Sequence, residues 1–397
     1  MIILLENFYK KFFYFLQKNG VDIIAFFLLL NSAFFPTFIF NKVSLLLIII
    51  ILFLAFLNKS LLKLRFTFGH LLIYSFFFYS FIYSIFANTF TSESVQLLFC
   101  TSILLLVSFK SFLKINFRLH IKIVGFLISI YTIFLLIIII STGMNLDINQ
   151  NQFISKLWEL SYMTVGFREI GDLTLYQFQI GSAPLLLISF GLWLEDFFSK
   201  KSNINNFSVI LLALTIFISG QRALMLFGFL ILIITFYLFS KFKYKFQFAF
   251  FLIMLSAFTF PIYIFPILFN EGDFGTMTKA LHFESFLNQL NILNFLFGNG
   301  LGSEYFTMGF NRDIAITEIT LLDLSRYMGV PLAFLTYYFF LFPKLLKFSF
   351  YFYKAPFELF LMIIYLLTSL TNPVLLNSFG IYILCWYWDS LLTKSEY

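Results

Sequence analysis

The chain has 397 residues, of which 61% are hydrophobic and only 11% charged, with 64 Phe and a formal net charge of +7. This usage lies far outside that of soluble domains and excludes a water-facing globular enzyme. The basic excess calls for no nucleic-acid partner, because Lys and Arg are sorted along the chain as membrane topology requires.

A helix that crosses about 30 Å of hydrocarbon needs roughly 20 mostly apolar residues. About twelve such blocks follow one another, at 21–40, 43–58, 67–87, 93–109, 120–141, 175–197, 207–219, 223–240, 246–269, 317–342, 357–371 and 374–392. The seventh and eighth are short enough to form one helical hairpin. The expected fold is all-α: a single polytopic membrane domain over 1–397 with about twelve transmembrane helices and two large outer loops, at about 141–174 and 270–316. Basic residues are retained on the cytoplasmic side. With the amino terminus inside, 19 of the 26 Lys and Arg fall in inner segments, and 7 (Lys42, Lys156, Arg168, Arg222, Lys279, Arg312 and Arg326) fall outside, so both termini are expected in the cytoplasm. The first block follows a basic amphipathic segment and lacks a small-residue cleavage site, so it reads as an anchor. Cys100 and Cys385 lie in apolar blocks without metal-ligand spacing, which makes them apolar packers and predicts no metal site. His70, Asn31, Asn372 and Asn377 are assigned to inner halves of the spans, where they serve helix packing or lipid access.

The two outer loops exceed the length of ordinary connections and carry most of the acids. Their aromatics Trp158, Tyr162, Phe167, Phe283 and Phe286 argue for packing on the membrane. Residues 277–293 predict a surface helix with Thr278, His282, Ser285 and Gln289 in one polar stripe and Phe283, Phe286, Leu287 and Leu290 turned away. That stripe would aim His282 into an aqueous cleft, as a proton carrier or as an idle surface histidine.

Next comes Phe297-Gly298-Asn299-Gly300-Leu301-Gly302-Ser303. No strand precedes it and no Lys-Ser/Thr follows, so a nucleotide loop is rejected. Gly298, Gly300 and Gly302 predict a tight turn, either a structural hinge or one that offers N–H groups to an anion. The following segment places Glu318, Asp323, Arg326 and Tyr327 in the outer turns of a span, where charge is costly unless paired, wetted or functional. Asp323 and Arg326 are three apart and suited to pair; Glu318 lacks such a partner and is the better catalytic candidate. In Ser219-Gly220-Gln221-Arg222 one Arg stands between two apolar runs. Its fork suits phosphate or carboxylate, against the alternative of an interfacial Arg that snorkels. Arg168, beside Glu169, is a weaker second case.

The order Ser219-Gly220-Gln221-Arg222, a long outer loop, the triple-glycine turn, then Thr317-Glu318 running into Arg326-Tyr327-Met328-Gly329-Val330 resembles the Wzy-type O-antigen polymerases of Gram-negative inner membranes, over nearly the full chain. The related O-antigen ligases carry a His-Asn pair soon after the glycine turn; here Thr317-Glu318 stands in that neighbourhood, which favours polymerase. The resemblance implies a GT-C-like membrane glycosyltransferase that needs no cofactor. Its substrate would be oligosaccharide repeat units on undecaprenyl diphosphate, joined on the periplasmic face among membrane lipids, with a separate chain-length regulator as a possible partner. Under this reading Arg222, with Arg168, holds the donor diphosphate, and Glu318 or His282 accepts the proton of the attacking sugar hydroxyl in an inverting, metal-independent displacement. Arg312, Arg326, Tyr327, Gly298, Gly300 and Gly302 are secondary candidates. The rivals are an O-antigen ligase and a lipid-linked oligosaccharide flippase.

Overall fold

A computed structural model describes residues 20–36, 42–57, 66–108, 115–143, 151–161, 164–170, 173–199, 202–247, 250, 274–317, 319–344, 348–372 and 375–395. The described chain is mostly helical. In order it forms α1 Gly20–Phe34, α2 Lys42–Leu57, α3 Phe68–Phe86 and α4 Ser92–Ser108, which carries one tight turn of 3-10 helix at Ser102–Leu104. Then follow α5 Phe117–Thr142, α6 Gln152–Ser161, strands β1 Thr164–Ile170 and β2 Leu173–Gln179, α7 Ala183–Ser199, α8 Asn203–Ile218 and α9 Arg222–Phe239. The last part comprises α10 Phe274–Gln289, α11 Ile292–Phe297, β3 Tyr305–Thr307, β4 Arg312–Ile314, α12 Thr320–Met328, α13 Val330–Leu341, α14 Phe348–Lys354, α15 Pro356–Ser369 and α16 Ser378–Ser395.

Among the described residues, three helices are long and apolar enough to cross a membrane: α3, α5 and α9. Several shorter apolar helices accompany them, and the chain is membrane-associated on this ground. At the centre stands α7, whose residues Ala183 to Leu194 are all buried, touching α5, α8, α9, α15 and α16. The α16 run from Ile381 to Trp388 is buried as well. Helices farther out leave Phe78, Ile82, Phe134, Ile137, Phe229 and Leu232 exposed, which is the arrangement expected where the surrounding solvent is hydrocarbon.

The structure departs from the expected spans in three places. The block at 175–197 does not begin as a helix: β1 and β2 pair antiparallel with Thr164 opposite Gln179 and Ile170 opposite Leu173, and α7 starts only at Ala183. The all-α expectation therefore holds for the bundle but not for this hairpin or for the smaller one of β3 and β4. The block at 317–342 is broken, because Gly329 adopts φ +86 between α12 and α13. A Cβ there would lie 2.4 Å from the Leu296 carbonyl oxygen, so no other residue fits. The short seventh and eighth blocks form a helical hairpin, α8 and α9, and 251–269 of the ninth block lie outside the described residues.

Two ends of the bundle differ in chemistry. At one, the first turns of α5 meet the last turns of α7. Arg118 bonds Glu195 at 2.7 Å and Asp196 at 3.1 Å, and Lys122 pairs with Asp196 while lying 3.8 Å above the Trp193 ring. His120 joins α1 to α16 here, with Nε2 3.1 Å from Asp22 and Nδ1 2.6 Å from the Tyr382 hydroxyl. Lys394 pairs with Glu358 at 2.8 Å. Part of the basic charge that the sequence sorts to one side thus has a local acidic partner. The other end carries the two strand hairpins, the glycine turn and the functional candidates.

Candidate functional site

The turn between α8 and α9 is tight because Gly220 takes φ +63, a left-handed conformation, with the Gln177 side chain packed where a Cβ would stand. Ser219 is buried and donates to the Ile216 carbonyl at 2.6 Å. Gln221 opens α9 without capping it, so the first N–H groups of α9 receive no side-chain cap. Arg222 is the first residue of α9 and is half-buried. A guanidinium and the positive end of a helix dipole thus share one location, a combination suited to an anionic group.

From this turn a short chain of polar contacts leads to a segment a hundred residues downstream. The Gln221 amide donates to the Asn372 side-chain oxygen at 3.4 Å, and the Asn372 backbone carbonyl accepts from the Thr320 hydroxyl at 3.4 Å. Thr317 is held at the other side: its N–H donates to both Asp323 carboxylate oxygens at 3.0 Å, and its hydroxyl accepts from Ile319 N–H at 3.1 Å. Glu318 lies outside the described residues, but both of its flanks are fixed by these bonds. Asn372 corrects its sequence assignment, since it stands at the candidate end beside Gln221 and not in an inner half. Its position just before Pro373 in Thr371-Asn372-Pro373 is a turn signal that could have exposed it.

Arg326 occupies a second, separate cluster. Its guanidinium donates to the carbonyls of Ser303, Ile314 (3.2 Å) and Ala315 and to Asp323 at 3.4 Å. It is stacked on Tyr305 at 4.4 Å and Tyr327 at 4.9 Å from the ring centroids. The Tyr327 hydroxyl also bonds the Ala315 carbonyl. Arg326, Asp323 and Tyr327 are all buried, and they tie the β3–β4 hairpin to α12. Burial pushes the Tyr305 phenol up to about 12, which keeps it protonated.

His282 departs from the expected aqueous cleft. It is fully buried, with Nδ1 on the Thr307 hydroxyl and its ring edge-on to Phe310 at 4.6 Å. Thr278 and Ser285 of the same stripe are buried too, Met308 N–H donates to Ser285 at 3.0 Å, and Gln289 reaches the Phe306 carbonyl at 2.9 Å. The polar face of α10 is therefore its packing face against the hairpin. Burial, then the charge of Lys279, lowers the His282 pKa, so the ring stays neutral.

The three glycines form a clasp. Gly298, Gly300 and Gly302 have φ of +75, +94 and +69. A Cβ on Gly300 would lie 2.5 Å from Ser84 Cα, and one on Gly302 2.5 Å from Ser94 N. Asn299 N–H donates to Arg326 O at 2.7 Å, Gly300 N–H to Tyr327 O at 3.0 Å and Leu301 N–H to Ser80 O at 3.0 Å. These donors are spent on backbone carbonyls, which removes the anion-binding alternative and leaves the hinge. Arg312 is exposed on β4, its guanidinium 5.8 Å from the Phe310 ring centre. Arg168 lies in β1 opposite Leu175, and two positions away Gly166 pairs with the Gln177 that packs on Gly220. The structure thus brings the Arg222 turn to the Thr317–Thr320 segment, and sets His282 and Arg312 apart from both. No family model, no curated protein and no solved structure matches this chain.

Proposed function

We propose that this chain is an O-antigen polymerase: an inner-membrane glycosyltransferase of about twelve transmembrane helices and GT-C-like architecture, with both termini cytoplasmic and the Arg222 end in the periplasm. The observation that carries the reading is the meeting of Arg222, at the uncapped start of α9, with the segment that flanks Glu318, through Gln221, Asn372 and Thr320. The substrate is a repeat unit on undecaprenyl diphosphate. Arg222 and the α9 N-terminus hold the diphosphate and stabilise the charge that builds on it, with Arg168 on the adjoining hairpin as a second cation. The acceptor hydroxyl oxygen attacks the anomeric carbon as the bond from that carbon to the diphosphate oxygen breaks. The electron pair leaves with undecaprenyl diphosphate, the hydroxyl proton passes to Glu318, and the centre is inverted. Glu318 is preferred to His282 as the base, because the His282 ring is enclosed and its Nδ1 bonds the Thr307 hydroxyl.

The test is the size of surface lipopolysaccharide in cells that lack the protein, complemented with wild type, Arg222→Ala, Glu318→Gln or His282→Gln at matched membrane levels. Polymerase function predicts a core with a single repeat unit for the deletion, Arg222→Ala and Glu318→Gln, and a ladder for His282→Gln. An unchanged ladder in the deletion would end the proposal; loss of all surface repeats would point to a flippase, and unattached lipid-linked polymer to a ligase.

A further inference from the structure

The reversed polarity of α10 identifies a surface that the reaction itself does not require. On the side away from Thr278, His282 and Ser285, α10 presents Phe283 (53% exposed) and Leu287 (49%). The chain then turns at Asn291, whose side chain caps α11 at Asn294 N–H (2.8 Å). Helix α11 exposes Ile292 (75%), Leu293 (61%), Phe295, Leu296 and Phe297, while its one polar side chain, Asn294, is half-buried and bonds the Gln289 carbonyl at 3.4 Å. A short helix with five large apolar side chains outside would be unstable against water.

This apolar face is continuous with the flank of the bundle. Helix α11 packs on α12 and α13, and α13 packs on α3. Phe334, Leu335 and Tyr338 of α13, and Phe78, Ile82, Ile85 and Phe86 of the membrane-spanning α3, are exposed. The same hydrocarbon that covers α3 therefore extends over α11 and α10. Glu284 and Asn288 lie exposed along one edge of α10, between its packing face and its apolar face, where a headgroup layer would meet them.

We propose that α10 and α11 are embedded side-on in the leaflet at this end of the bundle, with Phe283, Leu287, Ile292 and Leu293 among the acyl chains of membrane phospholipids. The pair is an in-plane membrane anchor that holds the β3–β4 hairpin and the Arg326 cluster at a fixed depth. This depends on membrane spanning by α3 and not on the reaction catalysed, so it survives if the polymerase reading falls.

The experiment places nitroxide labels on the full chain, one at a time, through Phe283→Cys, Leu287→Cys, Leu293→Cys and Asn288→Cys, in phosphatidylethanolamine–phosphatidylglycerol vesicles. Unsubstituted protein gives the background from Cys100 and Cys385, which are buried. Collision with dissolved oxygen, which concentrates in hydrocarbon, is compared with collision with a water-soluble nickel chelate. Insertion predicts an oxygen-to-nickel ratio several-fold higher at 283, 287 and 293 than at 288. Equal ratios at all four positions would overturn the proposal. So would protection of 283 and 287 from both reagents with spin–spin broadening that vanishes on dilution with unlabelled protein, since a second copy of the chain would then cover the face. Because each label replaces an exposed side chain, the protein remains folded for the measurement; a label that lowers the membrane level of one variant leaves the other two apolar positions to decide.

Discussion

Arg326→Met separates a keystone from a substrate contact. The guanidinium satisfies three backbone carbonyls, those of Ser303, Ile314 and Ala315, and one carboxylate, Asp323, all in a buried setting. Met retains much of the volume and none of the donors. Removing one partner of a buried charge pair costs about 3–5 kcal/mol, because the other is left uncompensated. The affected region is the β3–β4 hairpin with its flanks, so the loss appears as local opening and not as collapse of the helical bundle. At 1.4 kcal/mol per tenfold, backbone amides around Ser303–Ala315 should exchange with deuterium roughly a hundred- to several-thousand-fold faster, while amides of α7 and α16 keep their wild-type protection. Arg326→Lys should give little rescue, since one ammonium cannot span the directions that the planar fork covers. Hydrogen exchange in detergent or nanodiscs reads all of this. Wild-type exchange at the hairpin together with lost polymerisation would refute the keystone and return Arg326 to the substrate.

Gly300→Ala should prevent proper assembly and lower the yield of folded protein in membranes, because it combines φ +94 with a Cβ 2.5 Å from Ser84 Cα. Gly166→Ala meets nothing within 4 Å and should leave the yield unchanged. His282 has a lowered pKa, so its neutral form belongs to the fold: stability should be complete above its ordinary value of 6.5 and decline as pH falls below it, since the unfolded chain then binds the proton more readily. Thermal unfolding between pH 7.5 and 5 should show this decline in wild type and a flatter response in His282→Gln. On the polymerase proposal, Asn372→Ala, which removes the Gln221 contact and keeps the backbone carbonyl that Thr320 bonds, should reduce polymer length at unchanged membrane level by gel; full-length ladders would show that the link has no part in the proposed reaction.

The helices were legible because an apolar block of the right length has few other uses; the break before α13 was not expected, although Gly329 and Pro331 are the punctuating residues that mark it. What composition could not give was the β1–β2 hairpin. Leu173, Leu175, Tyr176 and Phe178 count toward a span as readily as toward a strand, and the useful signal was the Gly171-Asp172 pair between two runs rich in β-branched and aromatic residues. For α10 the periodicity gathered Thr278, His282 and Ser285 on one face but did not say that this face met the protein, and it set Phe286 on the far side although Phe286 packs with Tyr305, Ile314 and Leu322. The rule that polar faces point outward belongs to water, and beside a membrane the packing face can be the polar one. His282 was misplaced for that reason, and Asn372 because its depth was judged from apolar runs alone. The Arg222 turn was readable because a single Arg between two apolar runs of sequence has few inexpensive positions; the contact of the turn with Thr320 through Asn372 depends on three segments far apart in sequence, which no local pattern contains.

The glycine clasp also bears on how the chain is made. Thr89 donates to Asn299 O at 2.6 Å, Thr91 to Gly302 O at 2.9 Å and Ser80 to Tyr327 O at 2.7 Å, joining positions more than two hundred residues apart. During synthesis the ends of α3 and α4 enter the bilayer long before their partners exist. Closing so large a loop is slow, and until it closes the early helices present unmatched hydroxyls and carbonyls at the membrane surface. A ribosome product ending before Asn299 would carry that exposed edge permanently, offering a feature by which membrane proteases or insertion chaperones tell an unfinished chain from a finished one.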